Sequence, residues 1–201
     1  MRIQDLKTVY ICPDHNEKYH KRKQHMEDLL KGLGFTNYSH YKSGTAAYPD
    51  CLSQAMIDIL TTHMNEPVLI LEDDVDFTGI SEFNMDNNVD AIYFGLSKSG
   101  GSLTQNSHDG YSVYEQWYSD GQVRVKNMLA THAILYISPV YKQVVIDVLR
   151  VHMGTKYNSD VLISRLQPKF TVLANKAPSF YQAARFNATD HVEKFTRFVI
   201  L

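Results

Sequence analysis

The chain has 201 residues, of which 44% are hydrophobic and 21% charged, and its formal net charge is -2. This length is sufficient for one large domain with its own core, and the composition excludes an intrinsically disordered chain. A near-neutral charge without basic blocks argues against a nucleic-acid partner, and no apolar run is long enough for a signal peptide or a membrane span.

The first part of the chain predicts alternating strands and helices. A β-rich run at 8–12 precedes a helix at 17–33, whose apolar positions recur at helical spacing and end at glycines. A second strand at 37–42, a helix starting near residue 48 and an apolar strand at 68–71 follow. The order β-α-β-α-β is typical of half of a nucleotide-binding sheet.

The second part of the chain, from residue 90, predicts shorter strands mixed with loops and helices. These are a strand at 90–96, a polar loop at 97–108, a hairpin of 111–118 and 122–128 turning at Asp120-Gly121, a strand at 131–137, helices after Pro139 and Asn158, and a strand at 170–174. The polar loop is our candidate for a mobile segment near the site. The tail from residue 178 shows no clear period.

Four carboxylates directly follow the apolar strand at 68–71. In an extended chain, Glu72, Asp74 and Asp76 would point to one side and Asp73 to the other. Carboxylates this close together repel each other and need a counter-charge, and a hard divalent cation is the simplest candidate. The alternative is an acidic, solvated turn.

A strand order of this kind, leading to a D-x-D motif, is that of a nucleotide-sugar glycosyltransferase with the GT-A-type fold. The chain resembles glycosyltransferase family 25 in collinear blocks from about residue 8 to 185. These blocks are AMIDIL at 55–60, PVLILEDDV at 67–75, THA at 131–133, Ser159-Asp160, and Ala177-Pro178 with Gln182. It also resembles the amino-terminal domain of chlorovirus enzymes that glycosylate capsid protein.

The resemblance implies an α/β fold of GT-A type, with a Rossmann-like, mainly parallel sheet, helices on both faces and a small antiparallel hairpin. It implies a single domain at 1–201, in which 1–77 is the nucleotide-binding half and 90–201 the acceptor-side half. We expect a cytoplasmic enzyme, located in the host cytoplasm if the protein is viral.

The implied activity is metal-dependent transfer of a sugar from a UDP-sugar donor to a glycan or glycoprotein acceptor. Mn²⁺ or Mg²⁺ would neutralise the leaving diphosphate as a Lewis acid. Asp74 and Asp76 are the first candidate ligands, followed by Glu72 and Asp73, and one of these acids is expected to contact the nucleotide.

A further ligand to the metal is expected from a histidine or an acid of the carboxyl-terminal half. His191 is the preferred candidate from the carboxyl-terminal half. His132, in a predicted strand, is interpreted as a core histidine, and the other seven histidines are expected at the surface.

The nucleotide base is expected against the loops after the first two strands. Cys12 and Asp14 lie in the first of these loops, and Tyr41 and Ser43 in the second, where Tyr41 is placed to stack on uracil. Residues 13–16 replace the basic run that is usual in the family, so the family's phosphate contacts in that loop are not carried over to this chain. Arg22 is interpreted as an exposed helix residue, with a phosphate contact as the alternative.

Asp160 is the candidate catalytic base, because its family counterpart lies at a helix start near the acceptor. An inverting transfer needs a carboxylate that removes the acceptor proton, whereas a retaining transfer does not. Asp160 is equally suited to capping a helix. The sequence leaves both roles and both stereochemical outcomes open.

Two other functions compete with glycosyl transfer. The sequence DVDFT at 74–78 resembles the D-x-D-x-T motif of haloacid-dehalogenase-type phosphatases, in which the first aspartate is a nucleophile and the second a general acid. That motif normally follows the first strand of its fold, whereas two β-α units precede it here. A nucleotide- or carbohydrate-binding module without turnover is the second alternative.

Overall fold

The computed structural model describes residues 1–85, 88–117 and 121–186. Its helices are α1 (Glu17–Gly32), α2 (Asp50–Thr62), α3 (Pro139–Val151) and α4 (Ser159–Ser164). Its strands are β1 (Thr8–Cys12), β2 (Tyr38–Lys42), β3 (Val68–Glu72), β4 (Val75–Phe77), β5 (Ala91–Tyr93), β6 (Ser99–Gly100), β7 (Gly110–Tyr111), β8 (Val113–Gln116), β9 (Gln122–Asn127), β10 (Ala133–Tyr136), β11 (Val172–Asn175) and β12 (Phe180–Gln182). Among the described residues, no helix combines the length and the apolar character needed to cross a bilayer.

The central sheet has eight strands in the order β2-β1-β3-β10-β5-β11-β9-β8. β9 and β10 run antiparallel to the strands beside them, and the other strands share one direction. Two small antiparallel sheets, β4–β12 and β6–β7, lie outside it. β8 and β9 pair as the predicted hairpin, and Asp120 of its predicted turn lies outside the described residues. The predicted α/β fold class, with a mainly parallel central sheet, is confirmed.

Strand β3 is buried on both faces, as its continuous apolar run predicts. Val68 and Ile70 belong to the core beneath α2 and α3. Leu69 and Leu71 belong to the core beneath α1. Helices therefore cover both faces of the sheet, and the carboxyl end of β3 is the position at which its polar residues emerge.

Helix α1 begins and ends with well-formed caps. The Asn16 side chain accepts a hydrogen bond of 3.2 Å from the backbone N–H of Tyr19. At the other end, Gly34 has φ +79°, and the backbone N–H of Phe35 donates to the Leu30 carbonyl at 3.0 Å. This arrangement is a Schellman motif, in which glycine takes the left-handed conformation. The caps hold α1 directly behind the loop that follows β1.

The interpretation of Arg22 as an exposed helix residue is wrong. Arg22, Met26 and Leu30 form the buried stripe of α1, and Arg22 is only 7% exposed. Residues four apart lie on the same face of a helix, so Arg22 shares the face that packs on the sheet. A buried guanidinium requires an anionic partner, which the acidic turn provides.

The chain does not stay extended after β3. Asp73 and Asp74 form a turn, and β4 pairs with β12 in a separate antiparallel sheet. The expectation that Glu72, Asp74 and Asp76 share one side of an extended segment is therefore wrong. The turn forms where the chain leaves the central sheet to pair with β12, which lies in the tail whose sequence shows no period.

Candidate functional site

Two adjoining cavities open where β1, β2 and β3 end. The smaller has a volume of about 230 Å³ and the larger about 290 Å³. Tyr48, Leu52 and Glu72 line both cavities and form the boundary between them. Because the three strands are parallel and adjacent, their following loops meet at one edge of the sheet, which is where open α/β sheets bind ligands.

The smaller cavity brings together residues from all three loops. Pro13 follows β1, Ser43 follows β2, and Asp73 and Asp74 follow β3. Arg22 of α1 completes this part of the lining. Sequence reasoning had assigned both loops and both acids to nucleotide binding, and the fold places them around one space.

A buried arginine neutralises part of the acidic turn. Arg22 Nη1 lies 2.6 Å from Asp73 Oδ1 and 3.9 Å from Asp74 Oδ2. Both aspartates are less than a tenth exposed. Burial raises the pKa of Asp73, and the charge of Asp74 adds to this, whereas Arg22 opposes it. The protein thus supplies one of the counter-charges that the sequence had assigned to a cation.

Asp76 lies on β4, outside the lining of either cavity. Its Oδ2 is 2.8 Å from Arg185 Nη2. The same tail segment reaches the acidic turn, because the backbone N–H of Ala183 donates to the Asp74 carbonyl at 2.9 Å. The structure therefore separates Asp74, at the cavity, from Asp76, which pairs with an arginine. His191 lies outside the described residues.

Glu72 has the most altered environment of the four acids. Thr131 Oγ1 donates to Glu72 Oε1 at 2.8 Å. Burial, with a further contribution from the negative charge of Asp74, raises the pKa of Glu72 from its ordinary 4.5 to about 8, although the Thr131 hydrogen bond opposes the shift. A carboxyl group of this kind holds its proton near neutral pH and gives it up to a cation or a base.

The described part of the chain contains no group of three or more His, Cys, Asp or Glu side chains arranged to hold a metal ion by themselves. A magnesium-like ion at a nucleotide typically takes one or two carboxylates and completes its shell with phosphate oxygens and water. Asp74 and Glu72 both line the smaller cavity, and their oxygens are ligands of this type. These residues therefore fit an ion shared between the protein and a bound diphosphate.

The remaining candidates for nucleotide binding differ in position. Ser43 is buried and lines the smaller cavity. Cys12 is buried at the end of β1, where its thiol donates to the Pro13 carbonyl at 3.1 Å, and burial raises its pKa. Asp14 forms an ion pair of 2.6 Å with Lys42. Of these residues, Ser43 is the one whose side chain is brought to the cavity.

Tyr41 is placed away from the cavities. Its hydroxyl donates to Asp58 of α2 at 2.5 Å, and its ring packs against the core beneath α2 and α3. Burial, together with the Asp58 hydrogen bond, raises the pKa of Tyr41 to about 12. The structure therefore gives Tyr41 a packing role, whereas Tyr48 lines both cavities and Tyr19 lines the smaller one.

The larger cavity contains Asp160 and a histidine that sequence reasoning had placed at the surface. His108 Nε2 lies 3.4 Å from Asp160 Oδ1, and the side chains are 48% and 19% exposed. Asp160 Oδ1 also accepts a hydrogen bond of 2.7 Å from the backbone N–H of Val161. The helix-start position of Asp160 is confirmed, but no sequence pattern links it to His108, which lies in the loop between β6 and β7.

The far wall of the larger cavity contains a strained residue. Ala130 has φ +93°, a conformation that is unfavourable for a residue with a Cβ and that concentrates at functional sites. The next residue is Thr131, which holds Glu72, and then His132, which is buried. A Cβ atom on Gly95 would lie 1.8 Å from His132 Nε2, so this glycine makes room for the imidazole. The interpretation of His132 as a core residue is confirmed, and it also contributes to the cavity wall.

Several solved structures are similar to this chain. A UDP-glucose pyrophosphorylase complexed with UDP-glucose matches at a TM-score of 0.48 and 10% identity, over 88% of this chain and 92% of that one. The protein A197 from STIV matches at a TM-score of 0.47 and 13% identity, over 89% and 86%. A glycosyltransferase involved in glycosylation of the major capsid of PBCV-1 matches at a TM-score of 0.39 and 11% identity, over 70% and 65%. With every TM-score below 0.5, we draw no functional conclusion from these likenesses.

No protein-family model and no curated protein match the chain. The resemblance to glycosyltransferase family 25 is therefore not confirmed.

Proposed function

We propose that the chain is a metal-dependent glycosyltransferase that moves a sugar from a UDP-sugar to a glycan or glycoprotein acceptor. The observation that supports this is the pair of adjoining cavities that share Glu72, one containing the acidic turn and the other Asp160. Transfer between two substrates requires two connected sites with the bond that breaks near their boundary. A single-substrate hydrolase would need only one of these sites.

The smaller cavity is suited to the nucleoside diphosphate. Ser43, Pro13 of the loop after β1, Arg22 and Asp74 all line this cavity. In the proposed complex, Ser43 and Pro13 would contact the nucleoside, and Arg22 and Asp74 would lie beside the diphosphate. Charge develops on the leaving phosphate as its bond to the sugar breaks, and a preorganised guanidinium stabilises that charge without reorganising. A bound Mn²⁺ or Mg²⁺, held by Asp74 and Glu72, would supply Lewis-acid stabilisation at the same position.

The larger cavity is suited to the acceptor. Polar groups from four parts of the chain converge there, including Lys98, Thr131, Asp160 and Gln182. Such a mixture of donors and acceptors matches the hydroxyl groups of a sugar. In an inverting transfer, Asp160 is the carboxylate available for the acceptor proton, whereas a retaining transfer does not need one.

The experiment is a thermal-unfolding titration with UDP-sugars, with and without Mn²⁺. Ligands that bind only the folded state raise its stability by about 2.7 kcal/mol at a concentration of a hundred times Kd. We expect a rise in midpoint that needs both components and that Asp74→Asn removes. Asp76→Asn tests whether the acid paired with Arg185 contributes, and Asp147→Asn, on the exposed face of α3, is the matched control. No Mn²⁺-dependent rise with any UDP-sugar would contradict the proposal.

The competing functions make different predictions. The phosphatase alternative requires Asp74 and Asp76 to act together, but of these two residues only Asp74 lines either of the two cavities described above, and Asp76 pairs with Arg185. Phosphate release from p-nitrophenyl phosphate that is lost in Asp74→Asn would support the phosphatase. Donor binding without UDP release, with every acceptor tested, would support a binding module.

A further inference from the structure

The loop between β6 and β7 carries His108 into the wall of the larger cavity. The imidazole lines this cavity together with Asp160. Its Nε2 lies 3.4 Å from Asp160 Oδ1 and 3.2 Å from Asn158 Nδ2. A histidine next to a carboxylate, inside a cavity that accommodates a hydroxyl-bearing substrate, is the arrangement used for general-base catalysis.

Specific hydrogen bonds hold this loop against the start of α4. The backbone N–H of Asn158 donates to Asn106 Oδ1 at 3.0 Å, and Asn106 Nδ2 donates to the Lys156 carbonyl at 3.0 Å. At the other end of α4, Arg165 Nη2 donates to the carbonyl of Gln105 at 2.8 Å. These contacts bring the histidine to Asp160 by bonding the two segments that carry them.

We propose that His108, rather than Asp160, takes the proton from the acceptor hydroxyl, and that Asp160 orients the imidazole and balances its charge. This role rests on the proposed glycosyl transfer and identifies the proton acceptor of that reaction. It makes the reaction an inverting one, because a retaining transfer does not need a base on the acceptor.

The two nitrogens of the imidazole have different surroundings. A carboxylate only accepts hydrogen bonds, so Asp160 favours the tautomer with the proton on Nε2. The Asn158 amide can present either its nitrogen or its oxygen to Nε2 and therefore accommodates this tautomer. Nδ1 then carries the lone pair that accepts the proton.

The bonds formed and broken in this step balance. The acceptor O–H bond breaks and its proton passes to Nδ1 of His108, while the acceptor oxygen forms a bond to the anomeric carbon of the donor sugar. The bond from that carbon to the phosphate oxygen breaks, and UDP leaves with the electron pair. Asp160 remains ionised and pairs with the imidazolium, as the aspartate of a catalytic triad does.

The other polar groups around the larger cavity are less suited to this task. Glu72 is hydrogen-bonded to Thr131 and is one of the two carboxylates that the proposed function assigns to the metal ion. Lys98 is a donor only. His132 is buried against Gly95. His108 is half-exposed and lies beside a carboxylate, so it can both reach an acceptor and exchange its proton with solvent.

The experiment is chemical rescue of His108→Ala by added imidazole. UDP release would be measured with UDP-glucose, UDP-galactose or UDP-N-acetylglucosamine and Mn²⁺, with p-nitrophenyl glycosides as acceptors. We expect a loss in kcat of roughly 100-fold or more with little change in donor KM, since general-base catalysis contributes about this much. Imidazole should restore a substantial part of the rate, because the truncated side chain leaves a half-exposed space beside Asp160.

The matched control is His63→Ala. His63 Nδ1 pairs with Glu66 at 2.6 Å, before the amino end of β3 and therefore away from the cavities, and we expect neither a loss in kcat nor an effect of imidazole. Asp160→Asn should lower kcat and not respond to imidazole. Unfolding midpoints with and without donor establish that each variant folds and binds UDP-sugar.

Three results would overturn the assignment. Transfer that persists at the wild-type rate in His108→Ala removes His108 from the reaction. Transfer that is lost in His108→Ala but is unaffected by imidazole, while Asp160→Asn is inactive, makes Asp160 the base. Both of these results leave the glycosyltransferase proposal intact. No UDP release by the wild type with any of these donors and acceptors would overturn the proposed function and, with it, the role of His108.

Discussion

The two ends of β3 both have buried charges nearby, but they differ in how completely the protein satisfies them. At the amino end, Lys142 of α3 is fully buried. Its ammonium group donates to the carbonyls of His63 at 2.8 Å and Met64 at 3.4 Å, and to that of Glu66. Three donors meet three backbone acceptors that follow α2, so this cluster is closed and its role is structural.

At the carboxyl end, the charges form the wall of a cavity. Arg22 pairs with Asp73, but Asp74 and Glu72 face the same open space. Burial raises the pKa of both Asp73 and Glu72, and it also lowers the pKa of Lys142 to about 8. The shift therefore occurs at both ends of β3, and the open cavity beside the acids is what distinguishes the carboxyl end. The comparison separates a buried charge that holds the fold together from one that is available to a ligand.

Replacing Arg22 should have the largest effect on stability. Arg22→Met leaves Asp73 and Asp74 buried without their guanidinium, and losing one partner of a buried ion pair costs about 3–5 kcal/mol. Urea unfolding at neutral pH measures this loss, and the second change Asp73→Asn should recover part of it. Arg150→Met, on an exposed position of α3, should stay within about 0.5 kcal/mol of the wild type. Equal losses for Arg22→Met and Arg150→Met would show that the pair is not important for the fold.

Replacing Lys142 should destabilise the protein without changing its binding of ligand. Lys142→Met keeps the side-chain volume but leaves three buried carbonyls without their donor, and we expect a loss of about 2–4 kcal/mol. Lys31→Met, at an exposed position of α1, is the control. The donor-dependent rise in midpoint should be the same as in the wild type, because Lys142 lies at the other end of β3. A change in that rise would mean that the two ends are coupled.

Glu72 should make stability depend on pH. Its pKa is about 8 in the folded chain and 4.5 ordinarily, so between these values the folded state binds more protons than the unfolded state. Stability is therefore fully present below about pH 4.5 and falls as pH rises towards about 8. Glu72→Gln removes this dependence, and we expect the variant to gain at least about 1 kcal/mol relative to the wild type between pH ~5 and ~8. Parallel curves in denaturant unfolding would refute the shift.

Sequence patterns located most of the central elements but few of the partners. Hydrophobic periodicity placed β1, α1, β2, α2 and β3 within one or two residues, and it placed the acids at the right end of β3. The buried stripe of Arg22, Met26 and Leu30 was also visible as a spacing of four. It was misread because an arginine at a helical position is usually exposed, and its partner, Asp73, is 51 residues away.

Sequence patterns did not predict the structure of the tail or the position of the loop between β6 and β7. Strand β12 is three residues long and exists through its pairing with β4. That pairing ends the extended chain at Glu72, separates Asp76 from Asp74 and places Arg185 against Asp76. His108 carries no local signal at all, because its role depends on where the loop meets α4.

Local patterns in the amino-acid sequence were thus enough to identify an α/β chain with an acidic turn at the end of a buried strand. Apolar periodicity and turn residues act over a few positions, and they specify an element before it has neighbours. Folding alone supplied the surroundings of that turn. These are Arg22 beside Asp73, Glu72 between two cavities, and His108 beside Asp160. Each pair joins residues that are far apart in the sequence. Its energy depends on how deeply the two side chains are buried and on the distance between them, and both are fixed only when the chain folds.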